Sequence, residues 1–245
     1  MITLFNTILY IPLLNALVFI YHYIPDIGLA IIALTVLVRL LLWPLSQKSI
    51  ASQKALQTLQ PKMKEIQEKY KTEPQEKAKQ LMALYKTEKI NPASSCLPLL
   101  LQFPILIALY RVFINGFKPE SLDKLYAFVA HPGAINPLML GMNFLDLSQK
   151  NYLLAILAAA AQFWQGRMLI SKKQPNVAGA KDEGMQAMMN KQMLYMMPVI
   201  TLVIGFSLPG GLTLYWLMTT LLTILQQWLT FRKDGKLAVA PVIKS

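Results

Sequence analysis

The sequence has few of the residues on which many protein sites are built. It contains one cysteine, Cys96, and two histidines, His22 and His131, in 245 residues. A single cysteine excludes an internal disulfide, and no clustered ligands around Cys96 indicate a metal site. The sequence also has no glycine-rich phosphate loop, so no cofactor is predicted.

Acidic residues are scarce as well. Asp and Glu number 12 against 24 Lys and Arg, although 55% of the residues are hydrophobic. A soluble helical protein would alternate polar and apolar faces. Here, several apolar runs instead approach the roughly 20 residues that are needed to cross a hydrocarbon core about 30 Å thick. The composition therefore predicts one integral membrane domain with basic exposed parts.

Five apolar segments are predicted to cross the membrane as helices, because an isolated strand in lipid would leave its backbone groups unpaired. The predicted spans are residues 25–45, 97–117, 152–170, 193–208 and 209–231. Residues 1–24 are apolar too, but they contain Asn6, Pro12, Asn15 and His22. These residues favour an external amphipathic helix in the membrane interface, while hydropathy alone leaves a sixth span open.

The distribution of basic residues predicts the orientation. Residues 46–96 hold ten lysines and residues 167–191 hold five Lys and Arg, whereas the first 38 residues hold none. By the positive-inside rule, the N-terminus and residues 118–151 are external, and residues 46–96, 171–192 and the tail 232–245 are cytoplasmic. The "SLPGG" at 207–211 is then a tight external turn, in which Gly210 and Gly211 can take positive φ.

The segment 46–96 is too polar to enter lipid, but its apolar residues recur at helical spacing. The pattern predicts two amphipathic helices joined near Pro74, with Pro61 kinking the first or marking its first turn. The two apolar stripes favour mutual packing of these helices into a cytoplasmic hairpin. They consist of Leu56, Leu59, Met63, Ile66 and Tyr70, then Ala78, Leu81, Met82 and Tyr85.

Arg39 lies in the first predicted span, among aliphatic residues. An arginine facing lipid at mid-depth costs at least about 2.5 to 3.5 kcal/mol, so the guanidinium needs a local remedy. It either reaches the headgroups or faces a wet internal cavity. Polar residues in the spans favour the cavity, namely Thr35, Gln102, Gln226 and Gln227.

Four segments carry a specific pattern: "VRLLLWPLS" (38–46), "LQPKMKEIQEKY" (59–70), "LMALYKTEKINPASSCLPLLLQFPILIALY" (81–110) and "LPGGLTLYWLMTTLLTILQQW" (208–228). Together they resemble the YidC family of bacterial membrane-protein insertases, whose superfamily has mitochondrial and chloroplast members. The resemblance implies an all-α integral membrane protein of the bacterial plasma membrane, with five transmembrane helices around a cytoplasm-open hydrophilic groove. The large periplasmic domain of many Gram-negative members is expected to be absent, and the cytoplasmic tail to be short.

The resemblance also implies a function and a set of site residues. The protein is expected to insert small membrane proteins and help them fold without chemical catalysis, with a groove arginine attracting acidic ends of the nascent chain. Groove residues implied by the resemblance are Arg39, Thr35, Gln102, Tyr215 and its neighbour Trp216. Residues of the implied substrate slide are Phe103, Leu106, Met196 and Met197. Expected partners are nascent membrane proteins and lipids, with the Sec translocon and the ribosome as further candidates, and a monomer is expected to suffice.

Other functions compete with this interpretation. A transporter or channel could use Arg39 to bind an anionic solute, but the sequence shows no inverted repeat. An intramembrane serine protease would need Ser207 and His131 within hydrogen-bond reach of each other. The excess of basic residues is explained more simply by anionic lipid than by nucleic acid, because it follows the membrane-proximal segments.

Overall fold

The structure, a computed structural model, describes residues 2–91, 94, 97–115, 122–168 and 192–234. Cys96, residues 171–191 and the tail after residue 234 lie outside these ranges. Within the described ranges the regular elements are helical, and strand pairing is limited to two isolated bridges. The α-helices are α1 (Ile2–Phe5), α2 (Ile11–Tyr23), α3 (Ile27–Leu41), α4 (Trp43–Lys69), α5 (Pro74–Thr87), α6 (Leu97–Asn115), α7 (Tyr152–Met168), α8 (Met197–Gly205) and α9 (Gly210–Asp234). Two π-helical turns, Asn6–Tyr10 and Gln192–Met196, precede α2 and α8.

Helix α9 is the central element of the packing. It lies along α7 and α3 and also contacts α4 and α6, while α8 packs mainly on α7. The core contains fully buried side chains from three of these helices, including Ile31, Leu34, Leu109 and Leu212. Side chains of α9 are therefore placed to meet residues of α3, α4 and α6.

Helix length alone supports fewer crossings than the predicted five. Among the described residues, one helix, Thr3–Tyr23, is long and apolar enough to cross a membrane, and the bent pair Ile27–Leu41 and Trp43–Lys69 would add a second. The apolar helices Leu100–Asn115 and Leu194–Gly205 are shorter. The count of five spans stays a prediction.

The N-terminal helix that passes this test is the segment predicted to lie in the interface. It packs against α3 and α6, and its Asn15 is only 3% exposed. The Asn15 amide donates to the Lys124 carbonyl at 3.3 Å, and its oxygen accepts from the Tyr126 backbone N–H at 2.6 Å. Asn6 likewise accepts a bond from Arg111 Nη1 at 3.0 Å. These polar residues bind the rest of the chain, so their presence does not by itself indicate an interfacial helix.

A sharp bend separates α3 from α4. The two helices are inclined by 69°, and Leu42 lies between them at φ −88° and ψ 0°. Pro44 explains the break, because it has no backbone N–H and its ring clashes with the carbonyl four residues earlier in a continuous helix. Pro61, by contrast, lies inside the uninterrupted helix α4. The main change of direction therefore occurs at the end of the first predicted span.

Helices α4 and α5 pack against each other as a hairpin. Residues 70–73 separate them, and Pro74 opens α5, where its missing N–H needs no partner. The Tyr85 hydroxyl contacts the buried Met63 sulfur at 3.8 Å, and burial raises the pKa of Tyr85. An ion pair of 2.5 Å joins Lys62 to Glu88. A cavity of about 290 Å³ lies at the end of α5 and is lined by Met82, Tyr85, Lys86, Lys89, Ile90 and Asn91.

Gly210 and Gly211 do not take the positive φ that the turn would have allowed them. The glycines with positive φ in the described residues are Gly133 and Gly141, whereas Gly210 and Gly211 begin α9. The structure gives a different reason for glycine at these two positions. A Cβ on Gly211 would lie 2.9 Å from a Phe113 ring carbon, and one on Gly210 would lie 3.2 Å from the Asp146 carbonyl oxygen. Glycine is favoured at these positions because neighbouring segments come close to its Cα, and not because the backbone needs a positive φ.

Candidate functional site

A polar stripe runs along one face of α9. Thr219, Thr223, Gln226 and Thr230 are spaced by four, three and four residues, which places them above one another on a helix. Thr223 and Thr230 donate to the carbonyls of Thr219 and Gln226, at 2.7 and 2.8 Å. These bonds let hydroxyl groups lie in an apolar helix without losing a partner.

Arg39 points from α3 to this stripe. Its Nη2 donates to the Thr219 carbonyl at 2.8 Å and to the Thr223 hydroxyl. The side chain is half-buried, and Nε has no hydrogen-bond partner among the described residues. Among the described residues, no carboxylate forms an ion pair with the guanidinium. Its hydrogen-bond acceptors are a carbonyl and a hydroxyl, which are neutral. The positive charge of Arg39 is therefore not neutralised by an acidic partner there.

Tyr215 extends the stripe by one turn and connects it to α6. Its side chain is 2% exposed, and its hydroxyl accepts a bond from Gln102 Nε2 at 2.7 Å. We call Arg39, Gln102, Tyr215, Thr219 and Thr223 the polar seam, because they form a line of polar contacts between α3, α6 and α9. Of the adjacent aromatic residues that were predicted, Tyr215 belongs to the polar seam and Trp216 is half-buried beside it.

The hydrogen bond between Gln102 and Tyr215 gives a testable stability effect. Tyr215→Phe should lower the free energy of unfolding by about 0.5 to 1.5 kcal/mol, because it leaves the half-buried Gln102 amide unpaired. The melting temperature in detergent measures this loss. Tyr152→Phe is the matched control, since Tyr152 is 60% exposed and should melt like the parent protein. Adding Gln102→Leu to Tyr215→Phe should restore part of the lost stability, and a further loss would contradict the argument.

Thr35 lies one turn from Arg39 on α3. It is fully buried, and its hydroxyl donates to the Ile31 carbonyl at 2.6 Å. Its proton is thus used within its own helix. This hydrogen bond does not reach the polar seam, so the role of Thr35 in substrate binding stays a prediction.

The residues predicted for a substrate slide lie on two helical segments that pack on different neighbours. Phe103, Met196 and Met197 are 58%, 44% and 39% exposed, and Leu106 is half-buried. Phe103 and Leu106 belong to α6, which packs on α2, α4 and α9. Met196 ends the π-helical turn before α8, and Met197 begins α8, which packs on α7. A single continuous slide surface stays a prediction.

A second polar group, not predicted in full from the sequence, joins α4 to α9. Gln47 Nε2 donates to the Thr230 hydroxyl at 2.9 Å, and Gln226 Nε2 lies 3.3 Å from both Gln47 Oε1 and the Trp43 carbonyl. We call Gln47, Gln226 and Thr230 the Gln47 cluster. The spacing of Thr and Gln along α9 was the signal that could have revealed these contacts.

The residues proposed for a serine protease are engaged elsewhere. Ser207 Oγ lies 3.5 Å from the Val203 carbonyl, and His131 Nδ1 accepts a bond from the Gly133 N–H at 3.1 Å. Each side chain thus contacts its own local backbone. Within the described ranges, no group of three or more His, Cys, Asp or Glu residues could hold a metal ion.

Comparison with known proteins gives a consistent result. Residues 19–236 match the family described as 60Kd inner membrane protein. The chain is 36% identical to the membrane protein insertase YidC of Oleidesulfovibrio alaskensis over 91% of its own length, but it spans 38% of that relative. It is 31% identical to the membrane protein insertase YidC of Fusobacterium nucleatum, covering 87% of this chain and 90% of the relative.

A solved structure is also similar. It is described as an active YidC insertase crystal structure with the first transmembrane domain resolved. The two chains have a TM-score of 0.54 and 25% sequence identity, over 86% of this chain and 43% of the other. The all-helical architecture described above thus has a counterpart among experimental structures.

Proposed function

Because the chain belongs to the 60Kd inner membrane protein family, which includes the YidC insertases, we propose that it inserts small membrane proteins into the bacterial plasma membrane and helps them fold. The polar seam is the proposed site of action. It would form one wall of a hydrophilic groove that is open to the cytoplasm, within five transmembrane helices. Family membership and the contacts of Arg39 support this proposal.

The observation that carries the proposal is the electrostatic state of Arg39. Its guanidinium is half-buried, has neutral acceptors and retains an unpaired Nε–H among the described residues. A cation in surroundings of reduced dielectric attracts a carboxylate with about 4 kcal/mol at a separation of about 4 Å and an effective dielectric constant of about 20, against about 1 kcal/mol in water. Arg39 would thus hold an acidic end of a nascent chain partway across the membrane.

The driving force for insertion comes from the substrate itself. Transfer of its apolar helix from water to lipid is favourable by about 25 cal/mol for each Å² of apolar surface removed from water. The groove shortens the remaining path of the hydrophilic end, and no bond is made or broken. The mechanism therefore needs no catalytic residue and no cofactor.

Neighbouring residues have proposed supporting roles. Gln102 and Tyr215 would offer polar and aromatic contacts to the entering chain, with Thr35 and Trp216 beside them. The substrate helix would contact four apolar residues as it leaves for the lipid, namely Phe103, Leu106, Met196 and Met197. The flexible thioethers of the two methionines can adapt to varied partners.

The orientation belongs to the same proposal. The N-terminus and its interfacial helix would be external, and the hairpin of α4 and α5 and the basic tail would be cytoplasmic. Ten lysines in residues 46–96 support this orientation through attraction to anionic lipid. The hairpin would make first contact with nascent chains, the Sec translocon and the ribosome are candidate partners, and a monomer would suffice.

Reconstitution tests the proposed function. Purified protein in liposomes should insert a single-span substrate with an acidic external tail, detected as a protease-protected fragment. The matched substrate has its tail Asp and Glu replaced by Asn and Gln, and we expect about tenfold less insertion because its attraction to Arg39 is lost. Equal protection in empty liposomes would contradict an insertase, and solute flux without insertion would instead indicate a transporter.

A further inference from the structure

The N-terminal helix contains a π-helical turn, Asn6–Tyr10. In such a turn a backbone N–H bonds the carbonyl five residues earlier, and the Ile11 N–H accordingly donates to the Asn6 carbonyl. Phe5 and Tyr10 are one π-helical turn apart, so their side chains leave the helix on the same side. In an α-helix, with about 3.6 residues per turn, these two side chains would point to different sides. The π-helical turn therefore aligns two aromatic rings.

Each of the two rings holds a cation from another part of the chain. Arg111 of α6 has its guanidinium carbon 5.2 Å from the centre of the Phe5 ring, and its Nη1 donates to Asn6 Oδ1 at 3.0 Å. Lys124, in the segment after α6, has its Nζ 5.8 Å from the centre of the Tyr10 ring. A cation within about 6 Å of a ring centre is attracted to the face of the ring. The π-helical turn thus brings Arg111 and Lys124 to neighbouring positions.

Neither cation has an acidic partner in the part of the chain that the structure describes. The ion pairs there lie within residues 62–88, and none includes Arg111, Lys124 or the adjacent Asp123. Lys124 is exposed and Arg111 is half-buried. The aromatic rings attract the cations but carry no net charge, so they do not neutralise them. Two neighbouring positive charges repel each other, and an anion bound between them would relieve this repulsion.

The surroundings of the two cations are apolar and exposed. Leu4 and Ile8 lie in the same turns as the two aromatic rings, and Tyr110 and Ile114 lie beside Arg111 on α6. The side chains of all four residues are exposed. A molecule that fits this surface has an anionic group next to an apolar chain. A phospholipid has both, whereas free phosphate has no apolar part.

The N-terminal helix connects both cations to segments on one side of the membrane. Its first turns contact Arg111, near the end of α6, and Asn15 bonds the Lys124 carbonyl. Near its other end, the Tyr21 hydroxyl accepts a bond from the Asn136 N–H at 3.1 Å. In the proposed orientation all of these partners are external. Long basic side chains at this depth reach the phosphates of the headgroups.

We propose that Arg111 and Lys124 form a binding site for the headgroup of an anionic phospholipid in the external leaflet. The guanidinium and the ammonium group bind the phosphate oxygens, and the exposed apolar side chains contact the acyl chains. Two cations favour a headgroup of net negative charge over a zwitterionic one. The assignment to the external leaflet rests on the proposed function and its orientation, but lipid binding can be measured without any substrate.

Titration of the detergent-purified protein with lipid tests the site. Native mass spectrometry counts bound molecules of phosphatidylglycerol, which is anionic, and of phosphatidylcholine, which is zwitterionic. Phosphatidylglycerol should bind more tightly. Arg111→Gln or Lys124→Gln should weaken its binding by about fivefold, the effect of one basic residue near an anionic lipid surface. Equal binding of the two lipids by the parent protein, or unchanged phosphatidylglycerol binding in both variants, would overturn the site.

Matched variants separate the charge from the helix contacts. Lys150→Gln removes another exposed lysine of the predicted external segment and should bind phosphatidylglycerol like the parent protein. A fivefold loss in this control would mean that overall charge, not a site, binds the lipid. Arg111→Lys keeps the charge and should bind more tightly than Arg111→Gln. Equal losses in these two variants would show that the charge at position 111 does not bind the lipid.

Competition identifies the kind of anion. Neither inorganic phosphate nor a soluble acidic peptide should displace phosphatidylglycerol, because neither offers acyl chains to the apolar residues. Displacement by phosphate would indicate a site for a free anion, and displacement by the peptide would indicate contact with the acidic tail of a substrate. Either result would overturn the lipid site.

Photocrosslinking locates the bound lipid. Phosphatidylglycerol with a diazirine in its acyl chain should label the peptides that contain Leu4, Ile8, Tyr110 or Ile114, and Arg111→Gln should reduce this labelling. Labelling only elsewhere would overturn the site while leaving the insertase proposal intact. Failure of the parent protein to insert a substrate in liposomes would contradict the insertase proposal alone.

Discussion

Replacing Arg39 with alanine is expected to lower insertion of a single-span substrate with an acidic external tail by at least about tenfold. The expected loss follows from the missing attraction, because an energy of about 4 kcal/mol between unit charges at reduced dielectric exceeds the 1.4 kcal/mol that corresponds to a factor of ten. Protease protection of the substrate in reconstituted liposomes is the measurement. A substrate with a neutral tail should respond much less to the same change.

Two further substitutions separate charge from hydrogen bonding. Arg39→Lys should retain much of the activity, because Nη2 alone makes both observed contacts to Thr219 and Thr223 and an ammonium group can replace it. Arg39→Gln keeps a donor but removes the charge, so it should resemble Arg39→Ala. Parent-like insertion by Arg39→Gln would show that the charge is dispensable.

A structural control is needed because Arg39 also ties α3 to α9. Thr223→Val removes one acceptor of the guanidinium and leaves the charge in place. It should lower the melting temperature in detergent about as much as Arg39→Gln, yet preserve most insertion. If Thr223→Val were as inactive as Arg39→Ala, the helix contact and not the charge would explain both results.

The sequence identified the polar residues of the apolar segments, but it did not identify their hydrogen-bond partners. Arg39 and Gln102 stood out as candidates because a polar side chain in an apolar segment is costly unless it has a polar environment. The sequence could not reveal that Arg39 binds the backbone of Thr219, since a carbonyl acceptor carries no sequence signal. Tyr215 and Trp216 are adjacent, and only the packing of α9 shows that Tyr215 reaches Gln102.

The bend after α3 shows a second feature that hydropathy could not predict. Pro44 signals a break, but its apolar neighbours continue the hydrophobic run, so hydropathy extended the first span to Leu45. The sequence therefore assigned Gln47 to the cytoplasmic hairpin, whereas in the structure, after the 69° bend, Gln47 contacts Thr230 of α9. Asn15 was misleading for the same reason, because long-range contacts bury a polar side chain that hydropathy reads as exposed. Periodicity reports the face of a helix, but not what covers it.

Replacing Gly205 with leucine is expected to cause the largest loss of stability among the packing changes. A Cβ at this position would lie 2.9 Å from the Ala155 Cβ and 3.4 Å from the Ala155 Cα, where α8 meets α7. Carbon atoms in favourable contact are about 3.5 to 4.0 Å apart, so even one methyl group forces the helices to separate. Overpacking of this kind costs about 1 to 3 kcal/mol, and the larger leucine should reach or exceed the upper value.

The size of the neighbouring residue provides the decisive comparison. Gly205→Ala should lower the melting temperature in detergent, and adding Ala155→Gly should restore part of it, because the exchange returns the missing space between the helices. Restoration should be incomplete, since glycine inside α7 costs about 0.5 to 1 kcal/mol relative to alanine. If Ala155→Gly instead added to the loss, the contact between α7 and α8 would not be the cause. Because α8 carries Met197 and follows Met196, a displaced α8 should also weaken crosslinking of substrate to these two positions while leaving the Arg39 contacts in place.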